Sequence, residues 1–182
     1  MVKPTEELKA EHRVIERVLA VVSKATDRLE NGEKVENELF VGAVDFFKNF
    51  ADRCHHSKEE KLLFEKMIER GMSGEVGPVA VMLHEHEDGR AHVRRIAELS
   101  GKRLDKKVAS ELVEQSRGYV ELLSAHIQKE DKILYPMADE ILTSEDQEEL
   151  EKGFEEVEEK VMGPGVHERY HKMIADWEEK YP

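Results

Sequence analysis

The chain has one cysteine, Cys54, in 182 residues, so no internal disulfide can staple it. Five prolines and eleven glycines fall in a few places and leave long stretches without a helix breaker. No window approaches the roughly 18 apolar residues of a membrane-crossing helix. The opening Met-Val-Lys-Pro-Thr-Glu-Glu lacks the apolar stretch of a secretory leader, so the expectation is a cytoplasmic location. Nor does any basic run interrupt the formal net charge of −13, which argues against nucleic acid or an anionic membrane as partner. With 39% hydrophobic and 38% charged residues, the composition suits one domain with a real core.

Between the breakers, Glu, Lys, Leu, Ala and Val recur with apolar residues three or four apart, the period of a helix. A first helix is expected from Pro4-Thr5, with Thr5 as cap, to Asn31-Gly32. The second runs from about Glu36 to Arg70, and the third from Gly77-Pro78 to Ser100-Gly101. A fourth spans Leu104 to Leu142, with Pro136 expected to kink or end it. Thr143 or Ser144 then caps an acidic helix over Glu145 to Glu159, and Gly163-Pro164-Gly165 separates it from a last short helix. The expected fold is all-α: an antiparallel up-and-down four-helix bundle over residues 1–142, with two additional C-terminal helices over residues 143–182 packed on it.

The second and fourth helices repeat each other. His55-His56-Ser57-Lys58-Glu59-Glu60-Lys61-Leu62-Leu63-Phe64 aligns without a gap on His126-Ile127-Gln128-Lys129-Glu130-Asp131-Lys132-Ile133-Leu134-Tyr135. Glu11-His12-Arg13 matches Glu85-His86-Glu87 more loosely. Each hairpin thus offers one histidine from its first helix and a His-x-x-x-Glu from its second.

Four residues apart on a helix, His55 and Glu59 share a face, as do His126 and Glu130. That face is apolar: Phe40, Val44, Phe47, Ala51 and Leu62 align with the first pair, and Leu112, Tyr119, Leu123, Ile133 and Met137 with the second. His56 and Glu60 are expected on the opposite face, with Asn49, Asp52 and Arg53. His12 lies among Leu8, Ile15 and Leu19, and His86 among Val79, Leu83, Val93 and Ala97. Two buried carboxylates without counter-charge cost several kcal/mol each, and metal ions are the natural compensation. Four imidazoles and two carboxylates fit two divalent ions, one at His12 and His55 and one at His86 and His126, with Glu59 and Glu130 bridging. Mixed nitrogen and oxygen ligands suit iron; zinc and manganese are alternative occupants.

His12, His55-x-x-x-Glu59, His86 and His126-x-x-x-Glu130-Asp131, one group per helix, resemble the hemerythrin-like (HHE cation-binding) family, and the resemblance covers about Thr5 to Leu142. It implies two iron ions in a non-heme di-iron centre that binds oxygen or a related small molecule, peroxide or nitric oxide. Oxygen or iron sensing and repair after oxidative or nitrosative stress are the associated roles; a redox enzyme, an iron donor and a helical interaction module with structural metals stay open beside them. Oxygen-carrying members place a further histidine where this chain has Arg90, and their last bridging carboxylate falls at the position of Asp131. The internal repeat favours Glu130, with Asp131 second.

His167 and His171, four apart on the last helix, are candidates to cover the open end of the bundle, His167 ahead as the missing ligand, although a surface pair is the commoner arrangement. His84 and His92 read as a solvated face. Cys54 aligns with Leu39, Ala43, Phe46 and Phe50 and reads as a small buried hydrophobe, with redox sensing the alternative. Tyr119 reads as core, its hydroxyl within possible reach of a bound ligand.

Overall fold

The computed structural model describes residues 3–182, and among these the chain is helical with no strand. Helix α1 spans Pro4–Glu30. Helix α2, residues 37–69, is one rod of changing pitch: α-helical over Asn37–Phe46, π-helical over Phe47–His56 and Glu59–Leu63, and α-helical again over Phe64–Glu69. Helix α3 spans Pro78–Ser100. Helix α4, residues 106–141, widens from an α-helix over Lys106–Lys129 into a π stretch at Glu130–Leu134 and closes as an α-helix over Tyr135–Ile141. Helices α5 (Ser144–Val161) and α6 (Val166–Lys180) follow.

The ends follow from local chemistry. Pro4 and Pro78 occupy the first position of their helices, where a missing N–H costs nothing. Lys3, not Thr5, caps α1; the Thr5 hydroxyl instead donates to Asp139 Oδ1 at 2.8 Å, tying α1 to the end of α4. Asp105 caps α4 by accepting from the backbone of Lys107 and Val108. Thr143 and Asp146 form a reciprocal capping box at α5. Pro136 does not end α4. It sits just beyond the π stretch, where the regular α ladder is already interrupted and a missing donor does least damage.

The wide turns shift the helix faces. On an α-helix adjacent side chains are rotated by roughly 100°, but the π winding turns each residue by less and adds one to the turn. Past the wide segments Leu63 and Leu134 are therefore buried in place of Leu62 and Ile133, and Ile133 is 53% exposed.

The four long helices pack as a bundle, α1 against α2 and α4, and α3 against α2 and α4. Two apolar clusters fill it. One contains Ile15, Val22, Phe47, Ile96 and Leu123; the other contains Leu8, Phe64, Met82, Tyr135 and Ala138. In every long helix the change from one cluster to the other falls at His12, His55 to Glu59, His86 or His126 to Glu130, so a polar layer separates two dry ends.

Helices α5 and α6 extend both clusters, with Leu150 and Phe154 in one and Met162, Tyr170 and Ile174 in the other. Arg70 donates to both oxygens of Asp146 at 2.8 Å, and the rings of Phe46 and Tyr170 meet edge-on at 5.2 Å. Gly42 permits the close approach of α2 and α6, since a Cβ there would lie 2.7 Å from the Trp177 ring. No helix of the described residues is long and apolar enough to cross a membrane.

Candidate metal centre

All six inner positions anticipated from the sequence meet in the polar layer. His12, His55, His86 and His126 are each 1% exposed, and Glu59 and Glu130 are fully buried. Two groups of ligand atoms result, each lying within 4.8 Å of one another: His12, His55, Glu59 and Glu130 in one, and His56, Glu59, His86 and His126 in the other. The imidazoles pair as the repeat suggests, His12 Nε2 with His55 Nε2 at 2.9 Å and His86 Nε2 with His126 Nε2 at 3.0 Å. Glu59 Oε2 lies 3.7 Å from His55 and 3.4 Å from His86, and Glu130 Oε2 lies 3.3 Å from His12 and 3.2 Å from His126. Each carboxylate therefore stands between the two groups.

His56 corrects the expectation of an outward face. It is 5% exposed and stacks on His86 with ring centroids 3.9 Å apart. The π winding over Phe47–His56 is the cause, because it brings His55 and His56 inward together where an α-turn would send the second to the surface. The cluster thus gains a fifth imidazole from α2, at a helix where the motif showed only one. Glu60 is also not on a solvated face: its Oε1 lies 2.7 Å from His86 Nδ1.

A carboxylate backs every one of the five rings at Nδ1. Asp131 stands behind His12 at 2.7 Å, Glu11 behind His55 at 2.7 Å, Glu60 behind His86, Glu85 behind His126 at 2.9 Å, and Asp52 behind His56 at 3.4 Å. An acceptor there keeps the proton on Nδ1 and turns the Nε2 lone pair inward, the tautomer a metal ligand needs. Asp131 belongs to this outer ring and not to the converging oxygens, since it follows Glu130 by one residue and points toward α1, where Arg13 also meets it. Arg90, at the position of the absent histidine, braces the outer ring by donating to Asp52 and Glu60 at 2.8 Å and 2.6 Å.

The buried charge is out of balance without a cation. Glu59 Oε2 and both oxygens of Glu130 are buried with no hydrogen-bond partner. Burial, reinforced by the neighbouring Glu130, raises the Glu59 carboxyl well above its ordinary range. Burial also opposes the charge of Glu130, but His126 and His12 outweigh it and hold that carboxyl low. Burial lowers His55 to about 4. Orphaned carboxylate oxygens facing inward-turned Nε2 atoms are the donor set of a divalent metal site, so the residues fit such ions.

Tyr135 is a contributor the sequence reading missed. Fully buried, it donates its hydroxyl to Glu59 Oε1 at 2.6 Å and stacks on His12. Its signal was the repeat itself, in which it aligns with Phe64. Tyr119 is core, and lines a cavity of about 130 Å³ with Phe47, Asp52, His56, Arg90 and Val93. His167 does not reach the cluster: it lies beside Phe50, with Nε2 3.0 Å from a Glu158 oxygen, because α6 packs along the outer face of α2. His84 is on a solvated face, its side chain 78% exposed.

A four-helix bundle with a buried layer of imidazole and carboxylate at its middle defines a metal-binding helical-bundle protein. The hemerythrin HHE cation-binding domain matches residues 3–138, and the chain belongs to that family. It is also similar to proteins named as uncharacterized in Mycobacterium tuberculosis and Mycobacterium bovis, each 21% identical over 175 residues, covering 95% of this chain and 68% of the relative.

Proposed function

We propose that the chain holds a non-heme di-iron centre and uses it to bind or sense dioxygen or a related small molecule, peroxide or nitric oxide. His12 and His55 would hold one ion, and His86, His126 and His56 the other, with Glu59 and Glu130 bridging. The observation that carries this reading is the pair of buried carboxylates with unpartnered oxygens, faced by five imidazoles that are each backed by a carboxylate. When bound, iron supplies one-electron chemistry and an affinity for small ligands.

The protein's own groups prepare the place. The outer carboxylates fix ring orientation, and the apolar clusters at either end exclude water from the layer between them. Tyr135 holds one Glu59 oxygen by a hydrogen bond and leaves the other free. The division is uneven in kind, two imidazoles with two carboxylates on the His12 side and three imidazoles with one carboxylate on the His86 side. The cavity beside His56 gives a molecule of a few atoms space next to the cluster.

Elemental analysis of protein made in iron-supplemented medium should find about two irons per chain. Mixing the reduced protein with dioxygen should then produce a visible band that disappears on evacuation. Less than one metal per chain would overturn the centre; zinc or manganese in place of iron would overturn the redox ligand; and direct irreversible oxidation would assign the protein to redox chemistry instead.

A further inference from the structure

Among the described residues Lys58 is the only buried lysine or arginine. Its ammonium donates to Glu7 Oε1 at 2.7 Å and Glu11 Oε1 at 2.6 Å, both on α1, and to Glu158 Oε2 at 3.3 Å, on α5. Glu7, Glu11 and Glu158 by themselves form a group of the kind that holds a cation, and the ammonium takes that place. Burial works against its charge, but the pull of Glu11 and the hydrogen bonds of Glu11 and Glu7 outweigh it and hold the lysine above its ordinary range. The Phe154 ring, also on α5, lies 5.5 Å from the ammonium.

Glu11 uses its two oxygens differently. Oε1 accepts from Lys58, while Oε2 faces His55 Nδ1 at 2.7 Å. A continuous polar line therefore runs from α5, which lies outside the residues matched by the family, through Lys58 and Glu11 to an imidazole of the cluster. We infer that Lys58 is a positioning residue that makes the setting of His55 depend on the contact with α5 at Glu158, through Glu158 on one side and Glu11 on the other. The inference rests on the metal-centre reading. Without the ammonium, Glu11 loses the partner that fixes its carboxylate plane, and His55 loses a fixed acceptor. Without Glu158, Lys58 keeps its two partners on α1 but loses its tie to α5.

The test uses cobalt(II)-loaded wild type, K58M, E158Q and R70M. Arg70 ties the start of α5 to α2 through Asp146, at the opposite end of α5 from Glu158, and touches none of the five imidazoles or their carboxylates, so R70M weakens the fold while leaving the Lys58–Glu158 contact in place. Three quantities are read: the rate at which a chelator removes cobalt, the visible cobalt bands and the thermal midpoint. K58M should release cobalt on the order of 10-fold faster, with shifted bands. E158Q should move both in the same direction by less, and R70M should lower the midpoint while leaving release and bands unchanged. Release that merely follows the midpoint across the three variants, or E158Q indistinguishable from wild type, overturns the role of Lys58. Should K58M fail to fold, E158Q decides. A wild type that takes up no cobalt, iron or zinc removes the metal centre itself, whereas a loaded wild type with variants that all release alike removes only the relay.

Discussion

His12 and Asp131, 119 positions apart in the chain, meet with Nδ1 and Oδ1 2.7 Å apart. The contact places Asp131 behind the ring, while Glu130 faces the Nε2 side at 3.3 Å. Neighbouring carboxylates on one helix thus have different tasks, one to aim an imidazole and one to offer oxygens. D131N should fold, retain metal and bind it about 10–100-fold more weakly. E130Q should reduce the metal content itself, since it replaces one of the two carboxylates that stand between the groups. Metal analysis with chelator competition separates them; equal loss in both would move Asp131 into the inner set.

His56 provides a sharper test of the π winding. Removing a surface histidine leaves metal content unchanged, and H84L, at a side chain 78% exposed, is the reference. H56L should lower the metal-to-chain ratio toward one while helix content stays near wild type, because it takes one imidazole from the group with His86 and His126. Circular dichroism with elemental analysis reads both quantities. Equal metal in H56L and H84L would show that His56 is a stacking partner of His86 and nothing more.

The six inner residues were legible because hydrophobic period and chemistry agreed: His12, His55, His86 and His126 each continue an apolar stripe, and so do Glu59 and Glu130. What the period could not show is where the helix changes pitch. A pattern laid out at 3.6 residues per turn places Ile133 and Leu62 inside, while the wide turns put Leu134 and Leu63 there. His56 and Glu60 were misplaced for the same reason, and the outer carboxylates were not legible because four of the five back a histidine on a different helix, although the repeat itself pairs Glu11 with Glu85 and Glu60 with Asp131. L134A should therefore cost about 2–5 kcal/mol. I133A should stay within about 0.5 kcal/mol of wild type. Denaturant titration of the metal-loaded protein reads both, and a reversed order would restore the regular helix.

Cys54 lies 1% exposed in the larger apolar cluster. Burial pushes its thiol up to about 12, against a smaller opposing pull from Lys58. The thiolate is the reactive form, so the native protein between pH 7 and 9 should react slowly with a thiol-specific reagent and the unfolded chain at once and completely. Reaction should speed up with denaturant, tracking opening of the fold, before it speeds up with pH. Fast stoichiometric labelling of the folded protein at pH 7 would return Cys54 to the status of a candidate redox sensor.

Removing the ions should destabilise the bundle at its middle. A ligand that binds only the folded state adds about 4 kcal/mol when present at about 1,000 times its dissociation constant. For a chain of this size each kcal/mol moves the thermal midpoint by roughly 2–4 °C. Stripping a bound metal should then lower the midpoint by roughly 8–16 °C, and adding the metal back should restore it. The reason is local: without cations Glu59 Oε2 and both Glu130 oxygens stay buried with no partner. The double variant E59Q/E130Q removes those charges, so its midpoint should be insensitive to chelator and should lie above that of stripped wild type. A wild type whose midpoint ignores the chelator, although metal analysis shows the ions are gone, would mean that the imidazoles alone satisfy the two carboxylates.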